Sequence, residues 1–315
     1  MVGAEPKTHE QRWMGQVADS INPATQQLSI PYLTTAEFRN APTAIDIDNL
    51  VFNSSDPDVQ DSELANVIAR ASSWIDTHCN QILGATSTTE QQRTRISPDG
   101  YIKWHPNYNP VIALTDLWYG YPSTNLYQVT DVSSAWLENQ QILFPYASMG
   151  SLFTNQGPLQ FGFPSTQGQV VFLKYTYVNG YANDVIVTAT AGQSTLTVKS
   201  GVGITAHDTL KIYDGMYSEN VTVANTYTFG SSTVPLTTPL LYSHSAGISI
   251  SALPPAIKEA AILVTTAMLK VRGDNSLTMA VGTLPQQSSM PQYQASIQDD
   301  MSMAIDLLRP YRRIR

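Results

Sequence analysis

The chain has 315 residues with a net charge of −8, only 13% charged residues and a single cysteine. That length is enough to bury a sizeable core as one large domain or two ordinary ones. The acidic balance excludes a general nucleic-acid binder, which needs clustered Lys and Arg, and one thiol excludes a disulfide framework or a cysteine-rich metal site.

The first 31 residues read as an arm. Trp13, Met14, Val17 and Ile21 could form a short apolar stripe, but Gly15 and polar flanks argue against an independent helix. Glu5, Lys7, Glu10, Arg12 and Asp19 interrupt any signal-peptide core. No window has the length and hydrophobicity of a membrane span, so a soluble protein is expected.

Thr34 or Thr35 is a candidate N-cap for a short helix over 36–40, and a second turn of helix is expected over 46–51. The acidic linker that follows, with Asp56, Asp58 and Asp61, fails the calcium-loop pattern. Counted from Asp56, Asp61 replaces the glycine and Val67 the closing glutamate. Acids at a helix start explain it better.

That helix, DSELANVIARASSWIDTHCNQ at 61–81, is the most strongly patterned in the chain. Leu64, Val67, Ile68, Ala71, Ile75 and Cys79 recur at three and four. Its expected partners lie far along the chain. Residues 255–272 place Ile257, Val264 and Met268 on one face, and 290–308 do the same with Ile297, Met301, Ala304, Ile305 and Leu308.

Between them the pattern is β. Strands are expected over 91–97, 101–104, 111–119, 127–131, 135–137, 141–144 and 169–178, with Pro98-Asp99-Gly100 as a turn. Residues 150–168, rich in Gly, Pro, Ser and Gln, read as an exposed loop. TLTVKS, TLKIYD, ENVTVAN and GISIS then alternate small polar and β-branched residues, which suits a small β-domain inserted over 183–252. Strands that merely extend the preceding sheet are the other reading. The expected fold is therefore α+β. A small helical core is closed by N- and C-terminal helices around a β-rich middle: an N-terminal arm (1–31), a core of helices then β-strands (32–182), an inserted small β-domain (183–252), and the closing helices of the core with the basic tail (253–315).

Four of the last seven residues are arginine. Pro310 stops the final helix, so the tail is expected to project. It serves either as a solubilising end or as a docking tail, with Arg309, Arg312, Arg313 and Arg315 for carboxylates and Tyr311 as an aromatic anchor. Chemical motifs are absent: no nucleophile elbow, no phosphate loop, no dinucleotide fingerprint and no paired-histidine zinc helix. His78 and Cys79 are adjacent on a helix and so point in different directions. No metal, cofactor or enzymatic activity is expected.

The order YLTTAEF, ELANVIARASSWIDTHCNQ, PPAIKEAAILVTTAMLKVRG and LLRPYRR resembles the head–tail adaptor (connector, or head-completion) proteins of long-tailed double-stranded DNA bacteriophages. The resemblance covers about a third of the chain; the arm, the β-rich middle and the insertion depart from it. It implies a structural virion protein at the head–tail junction, forming a twelve-fold homo-oligomeric ring. The ring would dock on the portal through Arg309, Tyr311, Arg312, Arg313 and Arg315. It would pass DNA without sequence-specific binding, and would meet a downstream neck protein and the capsid. A virion surface or receptor-binding β-rich protein is the alternative.

Overall fold

The computed structural model describes residues 30–43, 45–51, 54–121, 123–145, 168, 170–271 and 289–313. The expected arm, apart from Ile30 and Pro31, lies outside them, as do residues 150–167 of the expected loop and Arg315. The fold is mixed α+β, with four α-helices and three antiparallel sheets among the described residues. The chain divides into two compact units, one containing 86–180 and the other 27–85 with 181–315.

The first unit holds β1 (Thr86–Arg95), β2 (Tyr101–Trp104), β3 (Val111–Gly120), β4 (Tyr127–Gln128), β5 (Trp136–Glu138), β6 (Gln141–Pro145) and β7 (Val170–Asn179). They form a four-stranded sheet in the order β1-β7-β3-β4 and a three-stranded sheet in the order β2-β6-β5. Alternation sets the faces: Val171, Leu173, Tyr175 and Tyr177 of β7 turn inward to a core with Ile102, Trp104, Leu117, Ile142 and Phe144. Strand β1 begins five residues before the expected 91–97. Its first half, Thr-Ser-Thr-Thr-Glu, has no apolar period, yet Glu90 is buried. Its carboxylate accepts from Tyr175 Oη at 2.8 Å, Tyr177 Oη at 2.6 Å and Asn107 Nδ2 at 3.0 Å. Burial, then the Glu90 charge, pushes both phenols up.

The second unit contains α1 (Thr35–Asn40), α2 (Pro57–Cys79), β8 (Asn183–Thr188), β9 (Thr195–Val198), β10 (Thr209–Tyr213), β11 (Glu219–Thr222), β12 (Thr233–Pro235), β13 (Ser249–Ser251), α3 (Pro255–Val271) and α4 (Ser289–Leu308). Thr34 caps α1 in a capping box, its Oγ1 accepting from Glu37 N–H while Glu37 Oε2 accepts from Thr34 N–H. The expected helix over 46–51 is absent. Asp46 Oδ1 takes the Asp48 N–H at 3.0 Å and Oδ2 the Asn49 amide at 2.7 Å, a local turn that competes with helix. Helix α2 starts earlier than read, at Pro57 behind the Asp56 N-cap, and ends at Asn80 in the left-handed conformation.

Leu64, Val67, Ile68, Ala71 and Ile75 of α2 pack with Ile257 and Val264 of α3 and with Ala304 and Leu308 of α4. Met268 and Met301 lie partly buried against this core, and Ile297 is half-buried. Ile305, expected in the core, is instead 40% exposed. Ile297, Met301, Ala304 and Leu308 make a seam narrow enough for fully buried Ala304, and Ile305 falls on its solvent flank.

Strands β8–β13 form their own six-stranded sheet in the order β11-β10-β13-β8-β9-β12, around Ile186, Val198, Ile212, Val221 and Ile250. The sheet curls until its edges meet: Val223 bridges Leu236, Ala224 N–H donates to Pro235 O at 2.9 Å, and Thr237 N–H to Thr222 O at 2.9 Å. These contacts cover part of the sheet's two edges. One tight turn is pinned by buried Asp184, whose Oδ2 accepts from Ser200 N–H at 3.0 Å and Gly201 N–H at 2.6 Å. Gly201 has φ +72°, and a Cβ there would stand 2.2 Å from Ser231 O. Gly201→Ala is therefore expected to cost about 2–3 kcal/mol, read as a lowered denaturation midpoint with an unchanged slope.

Candidate functional site

The basic end does not project as expected. After Leu308 the chain turns through a 3-10 segment, Arg309–Tyr311, and lies across the C-terminal end of α2. Arg313 N–H donates to Cys79 O at 2.9 Å, Asn80 Nδ2 to Arg313 O at 3.3 Å and Gln81 Nε2 to Tyr311 O at 2.8 Å. Tyr311 packs against the helical core and meets Tyr181 edge-on, with ring centroids 6.4 Å apart. The physical reason is complementarity. The α2 C-terminus carries the negative pole of its dipole and the Cys79 carbonyl; the Arg313 N–H takes that carbonyl, and the arginines of the strap complement the pole. Of the expected docking residues, Arg309 and Arg312 are exposed, while Tyr311 and Arg313 are half-buried.

A buried polar network joins the last turns of α2 to the segments before α1 and after α2. Tyr32 Oη donates to Asp76 Oδ1 and accepts from Leu83 N–H at 2.9 Å and Gly84 N–H at 3.3 Å, while Tyr32 N–H donates to Ser72 Oγ at 3.1 Å. Burial lifts the Asp76 carboxyl to about 7 despite the Tyr32 and Leu83 bonds that oppose the rise. Burial, then the Asp76 charge, drives the Tyr32 phenol well up. Burial also raises the Cys79 thiol to about 12, with Asp76 adding to the rise and Arg312 opposing it. Such a thiol is inert at neutral pH. His78, stacked on Trp74 at 5.2 Å with planes 9° apart, is lowered by burial and then by the Arg312 charge.

A second cluster occupies the curled sheet. Buried His244 faces Asp214 Oδ2 through Nδ1 and Glu219 Oε1 through Nε2, each at 2.9 Å. Glu219 also accepts from Leu241 N–H at 3.0 Å and Tyr242 N–H at 3.1 Å. Burial works to raise the Glu219 carboxyl, but those N–H groups and the His244 ring outweigh it and hold it low. These bonds fix a chain turn that leaves Leu241 and Tyr242 exposed, as Met216 and Tyr217 also are.

Among the described residues no group of three or more His, Cys, Asp or Glu is placed to hold a metal ion, and no helix is long and apolar enough to cross a membrane. Sequence reasoning missed Asn80 and Gln81 as partners of the strap, and Tyr32 and Asp76 as a buried pair. Only Asn80 carried a readable signal, as a left-handed C-cap after an apolar run. No family model, curated protein or solved structure matches the chain.

Proposed function

We propose that this chain is a head–tail adaptor of a long-tailed bacteriophage, a structural virion protein that forms a ring at the neck, docks on the portal and continues the DNA channel. In this reading the α2–α3–α4 core is the adaptor core, closed by both chain ends, and the curled sheet is a decoration inserted into it. It would contact the capsid or the next neck protein. The observation that supports it is the convergence of the resembling segments. YLTTAEF, the α2 stretch, the α3 stretch and LLRPYRR span 282 positions from Tyr32 to Arg313, yet contribute to one core, with the basic end strapped across α2. Sparse charge suits permanent subunit interfaces, and net acidity suits a conduit that DNA passes without sticking.

Gold-antibody labelling of intact virions by electron microscopy tests the reading. Label confined to the neck, or revealed only when tails are stripped from heads, is the expected result. Label on capsid faces or the tail tip would overturn it in favour of a surface or receptor-binding protein. The exposed Met216, Tyr217, Leu241 and Tyr242 of the curled sheet are the observation that would then count.

A further inference from the structure

Building on the adaptor reading, we propose that the strap and the outer ridge of α2 form one docking surface for an acidic protein segment, with Arg309 and Arg312 taking its carboxylates and Trp74 with His78 seating its apolar body. Arg70, Trp74 and His78 stand at i, i+4 and i+8 on α2, so they share one ridge about 12 Å long. The strap crosses the end of that ridge: Arg313 is bonded to Cys79 O, and the Arg312 charge reaches His78. Trp74 is only partly buried against the core and its ring stacks on His78 along the ridge. Ridge and strap therefore present cation and aromatic surface side by side.

Charge complementarity selects the occupant. Arg39, Arg70, Lys103, Lys258 and Lys270 are tied to carboxylates of their own chain. Arg309 and Arg312 are exposed and enter no ion pair among the described residues. Their planar forks suit bidentate carboxylates. A nucleic-acid backbone fits less well. Arg70 is neutralised by Glu63 at 2.9 Å, and exposed Asp306 lies three residues before Arg309, so the cations do not make a continuous track. Tyr311, expected as the aromatic anchor, is occupied internally by Tyr181 and the core; the ridge aromatics take that role.

The test uses the full-length protein and a fluorescein-labelled peptide rich in Asp and Glu with one leucine, read by anisotropy at low salt. The wild type is expected to bind, and Arg309→Glu with Arg312→Glu to weaken binding by about tenfold or more. Trp74→Ala is expected to weaken it several-fold, and since Trp74 also touches the core, His78→Gln serves as the milder check on the ridge. Circular dichroism confirms that each variant is folded. No binding by the wild type, equal binding by the arginine variant, or equal binding of a short DNA duplex would each overturn the acidic-segment surface. A protein that labels the phage neck yet fails these assays loses only this surface and keeps the adaptor reading.

Discussion

Replacing Tyr32 by Phe is expected to destabilise the second unit by about 3–5 kcal/mol, because one hydroxyl serves three buried groups. It is the donor to Asp76 and the acceptor for the N–H groups of Leu83 and Gly84, at a position with no solvent exposure. Phenylalanine fits the space but leaves the Asp76 carboxyl with the Leu83 N–H alone and takes the acceptor from the Gly84 N–H, where water does not reach. The same network makes stability pH-dependent in a direction opposite to the common salt-bridged aspartate. Unfolded, Asp76 loses its proton near the ordinary 3.8; folded, near about 7. Between those values the folded state binds more protons, so its stability falls as pH rises, and the loss is complete above about 7. The span corresponds to about 4 kcal/mol at most. Asp76→Asn, which keeps an acceptor for Tyr32 and Leu83, is expected to flatten the dependence between pH 4 and 7. Urea denaturation across that range measures it, and an unchanged slope would refute the buried protonated carboxyl.

The strap also changes how the basic end is to be tested. A projecting tail could be removed without harm, but deleting residues 309–315 would uncover the Cys79 carbonyl of α2 and remove Tyr311 from the core. Loss of assembly in such a truncation would then report folding as much as docking. Charge reversal at exposed Arg309 and Arg312 separates the two effects.

What the sequence made legible follows from periodicity. Helix α2 and strands such as TLKIYD carry a local apolar repeat, and their existence can be read from a few residues each. The same logic fails at Ile305, since i+4 spacing from Met301 allows a buried place that only the width of the seam denies. It fails differently in β1, where Glu90 is held by Tyr175 and Tyr177 from the neighbouring strand, over eighty positions away. The strap was illegible for a related reason. A run of arginines is locally indistinguishable from a solvated tail, and its partners Cys79 and Gln81 lie about 230 residues upstream. The His244 cluster is likewise scattered over three chain segments whose carboxylates have no diagnostic spacing.

Lys258 joins the helices of the second unit to its curled sheet. From α3 its Nζ donates to Glu37 Oε1 of α1 at 2.8 Å and to Ser249 Oγ of β13 at 3.0 Å, and it stands 4.4 Å from the Tyr213 ring centroid of β10. Burial pushes this ammonium down while Glu37 pulls it up. Both side chains of the ion pair are less than a tenth exposed, so removing one strands the other charge. Lys258→Met is accordingly expected to cost about 3–5 kcal/mol, and the double change with Glu37→Gln to recover much of it, since a buried pair replaced by neutral groups often loses little. The sheet has its own core around Ile212 and Ile250, separate from the Leu64–Ile257 core of the helices. Loss of the lysine should therefore loosen the junction before either core. Hydrogen exchange read peptide by peptide is expected to show faster exchange first at α1 and β13, with the middle of α2 still protected. Uniform acceleration across the unit would mean that Lys258 supports one undivided core rather than a joint between two.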